Sequence, residues 1–147
     1  MAQILNRQRR VPIALQPLDA FSRRVARALR LDPDAFTVCL VSDAAMARMN
    51  RQFRGQRGAT DVLSFPARAA GKGKRAAAED AGGFLGDIAI SPDRARRNAR
   101  RLGRRLPDEL RILVLHGVLH LLGYDHETDS GHMERREARL RRQLGIG

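Results

Sequence analysis

Three of the chain's four histidines fall within eleven residues, HGVLHLLGYDH, from His116 to His126. His116 and His120 are four apart, so on a helix they project from one face with their rings close together. Gly123 stands where a left-handed helix cap is expected, and such a cap turns the chain sharply enough to bring His126 back toward the same point. Three converging neutral imidazoles suit one divalent ion of zinc type. Three protein ligands also leave a fourth position open to water, which is the arrangement of a catalytic site. An ion held there supplies hydroxide near neutral pH. Nickel and copper share the preference for imidazole, so the spacing leaves the metal open.

The spacing H-x-x-x-H-x-x-G-x-x-H equals that of the metzincin proteases. Those enzymes need a glutamate directly after the first histidine as general base, and that position here is Gly117, which has no side chain to take a proton. Peptide hydrolysis is disfavoured on that ground, with Asp125 and Glu127 left as carboxylates from elsewhere.

These histidines need a scaffold. ELRILVLHGVLHLL is apolar almost all round and predicts a buried central helix, begun by Leu106-Pro107-Asp108-Glu109. QILNR, AFTVCLV, DVLSFP and FLGDIAI read as strands, with Cys39 expected as a buried core thiol. LDAFSRRVARALR places Leu18, Phe21, Val25, Ala28 and Leu29 on one helical face. DAAMARMNRQF predicts a helix capped by Ser42 or Asp43, and SPDRARRNARRLGRR one capped by Ser91 with Pro92 at its first position. HMERREARLRRQL predicts a last, basic amphipathic helix. The low-complexity stretch 67–83 has too little apolar content to pack and reads as a mobile loop between two strands. The expected fold is a single α+β domain, 1–147, a small mixed β-sheet packed with helices whose central buried helix carries two metal-ligand histidines.

Charge narrows the partners. The chain has 28 Lys+Arg against 16 Asp+Glu, a formal net charge of +12, and nearly all of the positive charge is arginine. That balance points to a polyanion, either nucleic acid or an anionic membrane face, although a GC-rich genome also inflates arginine. No apolar run reaches membrane-spanning length, and the N-terminus turns basic before a signal-like stretch builds up, so a cytoplasmic location is expected. One tyrosine, five phenylalanines and no tryptophan limit base stacking. RNA binding would then rest on phosphate contacts by arginine and fall with salt.

HGVLHLLGYDH, with FRGQRGATDVLSFP upstream and LGDIAIS between them, resembles the YbeY proteins, bacterial endoribonucleases of small-subunit ribosomal RNA maturation. The resemblance covers nearly the whole chain from about Val38 onward. It implies an α+β fold, one zinc ion per chain at His116, His120 and His126, and single-strand-specific cleavage of RNA in 16S rRNA processing and ribosome quality control. It makes Arg54, in the FRG element, the match to the family's functionally important arginine. A guanidinium there would hold a phosphodiester oxygen through two hydrogen bonds and stabilise growing charge. The partners it implies are rRNA, the small ribosomal subunit and the Era GTPase, with no DNA and no membrane.

Around this core of catalytic residues, Arg54, His116, His120 and His126, further roles are assigned by position. Arg94, Arg97, Arg101 and Arg104 form a positive strip expected to hold the RNA strand. Asp87 is placed to orient a ligand histidine as a supporting carboxylate, with an ordinary salt-bridged aspartate as the equal alternative. Thr60, Asp61 and Ser64 are substrate-contact candidates, and His132 adds a fourth histidine near the site. The rival function is a non-catalytic ribosome-assembly factor with a structural metal, followed by a metallopeptidase.

Overall fold

The structure, a computed structural model, describes residues 4–55, 60–67, 83–124 and 131–146, with the Arg54 side chain excepted. Within them lie strands β1 (Ile4–Asn6), β2 (Phe36–Leu40), β3 (Val62–Pro66) and β4 (Gly86–Ile90). The helices are α1 (Leu15–Ala28), α2 (Asp43–Arg54), α3 (Pro92–Leu102), α4 (Leu106–Leu121) and α5 (His132–Leu144). The strands form one sheet in the order β1-β2-β4-β3, parallel except for the antiparallel β3–β4 pair. This is the mixed sheet with helices that the sequence predicts, and the order places the two most buried strands, β2 and β4, at its centre.

Alternation along the strands gives the sheet two unlike faces. Phe36, Val38, Leu40, Ile88 and Ile90 point to a large core completed by α1, α4 and α5. Leu63 and Ala89 point the other way, toward Val41 and Met46 beneath α2. Cys39 joins this second, thinner cluster and is only half-buried, because it alternates with Val38 and Leu40 and is covered by a single helix. Burial, and next the nearby Asp87 carboxylate, raise its thiol pKa.

Local signals end the elements as their residue types require. Ser42 rather than Asp43 caps α2, its hydroxyl accepting from Ala45 N at 3.1 Å. Ser91 caps α3 by accepting from Arg94 N at 3.2 Å. Leu110, Ile112–Leu115, Gly117–Leu119 and Leu121 of α4 are all buried, so the helix runs through the protein as its central element. It lies so close to β4 that a Cβ on Gly117 would stand 2.7 Å from Ile88 Cγ2. Among the described residues no helix is long and apolar enough to cross a membrane. Of the stretch expected as a mobile loop, 68–82 lie outside the described residues.

Candidate active site

The histidine pair sits on the part of the C-terminal half of α4 that approaches solvent. His116 and His120 are half-buried among fully buried neighbours, and their rings meet edge to face with centroids 4.6 Å apart. Their Nε2 atoms are 3.0 Å apart. Two imidazole nitrogens on one tetrahedral zinc, each at about 2.0–2.1 Å, would lie roughly 3.3 Å apart, so the pair is close to the geometry of two ligands on one ion. Past His120 the helix closes in a Schellman turn. Gly123, at φ 98°, donates to His120 O at 3.0 Å and Tyr124 donates to Leu119 O at 3.1 Å. The left-handed cap expected at Gly123 is therefore present, while His126, the third expected ligand, lies outside the described residues. Among the described residues no three His, Cys, Asp or Glu side chains gather as a metal-binding group.

A residue not anticipated from the sequence completes the pair's surroundings. His116 Nδ1 is 3.0 Å from Glu137 Oε1 on α5, and Glu137 Oε2 accepts from Arg141 Nη2 at 2.8 Å. A carboxylate only accepts, so the ring proton sits on Nδ1 and the Nε2 lone pair of His116 faces His120. That is the tautomer a metal ligand needs, and a carboxylate behind a histidine is the usual way to hold it. One signal pointed to Glu137. Met133, Leu140 and Leu144 are the buried stripe of α5, and Glu137 falls on that stripe at helical spacing, its side chain only 12% exposed. A carboxylate placed there must have a partner inside the protein.

Asp87 does not take the supporting role expected of it. It alternates with Ile88, which packs on α4, so its side chain leaves the opposite face of the sheet and accepts from the Thr37 hydroxyl across the β2–β4 ladder. Ser64 shares the Ile88 face, and its hydroxyl donates to Gly117 O at 2.9 Å, tying the edge strand to the helix between the two histidines. Asp61 accepts from Asn98 of α3 at 3.2 Å, and Thr60 from its place beside it donates to Asp61 at 3.4 Å. Arg54 is the last residue of α2, just before Gly55 at φ 66°. The T-shaped contact of Phe53 with Phe65, centroids 5.0 Å apart, holds that end of α2 against β3, the same strand that reaches Gly117.

The arginines expected as an RNA-holding strip are largely engaged within the protein. Arg94 and Arg97 both donate to Asp43 Oδ2, at 3.2 and 2.9 Å, and Ser91 donates to its other oxygen at 3.0 Å. Burial alone would raise the Asp43 pKa, but these hydrogen bonds and the Arg94 charge outweigh it and hold the carboxyl below its ordinary value. Arg104 donates at 2.7 Å to Glu109, whose side chain is 5% exposed. Among the described residues Arg101 reaches Asn98, at 3.5 Å. His132 is exposed and borders a separate cavity with Tyr124 and three arginines of α5.

Comparison with known proteins joins this geometry to a family. The family described as Endoribonuclease YbeY matches residues 3–145. Two relatives bear the same name. One, from Solibacter usitatus (strain Ellin6076), is 43% identical over 140 residues, 94% of this chain and 86% of its own length. The other, from Koribacter versatilis (strain Ellin345), is 41% identical over 143 residues, 97% and 86% of the two chains. The solution structure of TM1509 from Thermotoga maritima superposes with a TM-score of 0.64 at 28% identity, over 98% of this chain and 89% of that one.

Proposed function

This chain belongs to the YbeY endoribonuclease family, and on that premise we propose that it is a metal-dependent endoribonuclease that cuts single-stranded RNA during maturation of 16S rRNA and in ribosome quality control. The observation that carries the reading is the convergence of His116 Nε2 and His120 Nε2 at 3.0 Å, with Glu137 on the far nitrogen of His116. His116, His120 and His126 are the residues that would hold the ion, zinc in the first instance. When bound, it would polarise a phosphoryl oxygen and lower the pKa of water.

The chain's own residues do the rest. Glu137 keeps the His116 proton on Nδ1, so this ring neither rotates nor offers its proton to the substrate side. The floor between the histidines is set by Gly117, where the close approach of Ile88 leaves no room for a side chain. That contact also weighs against the peptidase reading, because a glutamate at this position would point into the sheet rather than toward a substrate. Arg54 is proposed to hold the phosphodiester from the end of α2 and balance charge as the bond breaks. Its role rests on the FRG element and on the nearness of that helix end to β3. The same reading puts the protein in the cytoplasm, with the small ribosomal subunit and the Era GTPase as partners.

The test is the cleavage rate of a labelled single-stranded RNA and the metal content of wild type and His120→Ala, purified through identical steps. Cleavage by the wild type alone, with metal lost in the variant, is expected. Metal bound by the wild type without cleavage of any RNA would replace this reading with that of an assembly factor holding a structural ion.

A further inference from the structure

The two flanks of α5 serve different ends. One presents Glu137, braced by Arg141, to His116. The other carries His132, Arg135, Arg136 and Arg139 at helical spacing, and with Tyr124 these border an open cavity of about 240 Å³. No acidic residue is among the described residues that line it. Arg136 and Arg139 form no ion pair among the described residues, in contrast to Arg94, Arg97 and Arg104. Tyr124 is four residues past His120 and is hydrogen-bonded to Leu119, so the cavity opens at the histidine end of α4. Another cavity, about 450 Å³, is at the other end of that helix and is lined mainly by proline, isoleucine and leucine, with Arg105 and Arg111 at its border and Arg111 3.7 Å from Asp108.

We propose that the α5 cavity seats backbone phosphates of the RNA strand flanking the cleaved bond, with Arg136 and Arg139 as its principal contacts. The inference rests on the endoribonuclease reading and adds to it a binding subsite on α5. An anionic oxygen here meets the Arg136 and Arg139 guanidinium groups, which form no ion pair among the described residues. On α3 the same oxygen would have to displace Asp43 at Arg94 and Arg97 or Asp93 at Arg96, which leaves Arg100 and Arg101 as the α3 arginines outside any ion pair among the described residues. Phosphate contacts of this kind position a strand without reading its sequence, which suits an activity directed at unpaired RNA.

The experiment measures affinity for a fluorescein-labelled, phosphorothioate-linked 2′-O-methyl single strand, chosen to resist cutting, as a function of salt. It compares wild type with Arg136→Gln/Arg139→Gln, Arg136→Lys/Arg139→Lys and Arg97→Gln/Arg101→Gln. We expect the α5 glutamine pair to bind about tenfold or more weakly and to lose roughly 1.4 from the salt slope, at about 0.7 per phosphate contact. The lysine pair, which keeps the charge, should recover most of the affinity. The α3 pair should lose less than threefold. Equal losses from both helices, or a larger loss from α3, would overturn the assignment. So would unchanged RNA affinity in the α5 glutamine pair, including the case in which that pair instead loses retention on anionic lipid vesicles. Failure of the endoribonuclease reading looks different, since the wild type would then cut no RNA in the parallel assay.

Discussion

Helices α3 and α5 each carry five arginines, yet carboxylates take up more of them on α3 than on the cavity side of α5. On α3 three of the five, Arg94, Arg96 and Arg97, are held by carboxylates, while Arg100 and Arg101 form no ion pair among the described residues. Asp43 takes two guanidinium groups, Asp93 takes Arg96 at 3.3 Å, and Glu109 takes Arg104 just beyond the helix end. On α5 the one deeply placed carboxylate, Glu137, is occupied with His116 and Arg141, so Arg136 and Arg139 stay outside any described ion pair. The difference teaches that arginine content does not locate a nucleic-acid surface. The placement of carboxylates decides which arginines remain to meet a phosphate, because a guanidinium held by a carboxylate must break that contact before it binds another anion.

The strongest prediction concerns the carboxylate of α5. Glu137→Ala should weaken zinc binding by about 10–100-fold in a chelator competition, with Glu137→Gln partly restoring it because the amide oxygen still accepts from His116 Nδ1. Unchanged zinc affinity would make Glu137 a partner of Arg141 alone and erase the distinction between its two flanks.

A smaller effect is expected at the end of α3. Arg104→Ala leaves the buried Glu109 carboxylate without its cation, which should cost about 2 kcal/mol in chemical unfolding, reduced by the partial exposure of Arg104 itself. RNA affinity should move little. A lost affinity with intact stability would return Arg104 to the role its sequence position suggested.

The smallest effect tests Asp43. Its folded-state pKa is lowered, so its contribution to stability is present above the ordinary aspartate value of about 3.9 and is lost as pH falls below it. Asp43→Asn should therefore be less stable than wild type by up to about 1 kcal/mol at neutral pH, and the gap should narrow as pH falls below the ordinary aspartate value and through the lowered folded-state pKa. Because Arg94 and Arg97 are released, RNA affinity should rise slightly. A fall in affinity would show that the paired arrangement itself is what RNA recognises.

Much of the scaffold was legible in local sequence. The period of α4, the caps at Ser42 and Ser91, the left-handed turn at Gly123 and the four strands each depend on residues within one or two turns of one another. The histidine pair was legible for the same reason, since a separation of four on a helix brings two rings together wherever that helix lies. Asp87 was misread because a strand residue's face depends on which neighbour packs where, and Ile88 claims the α4 side. Glu137 was missed because its partner is 21 positions earlier in the chain.

The sequence by itself determined the elements, the helical spacing of His116 and His120, the empty side-chain position at Gly117 and the family to which the chain belongs. Only the tertiary structure decided the strand order, the carboxylate behind His116 and the division of the arginines into engaged and available sets. The physical reason is range. Backbone propensity, capping and helical periodicity act between near neighbours, whereas ion pairs such as Arg97 with Asp43 and His116 with Glu137 join residues that only the packed core brings together.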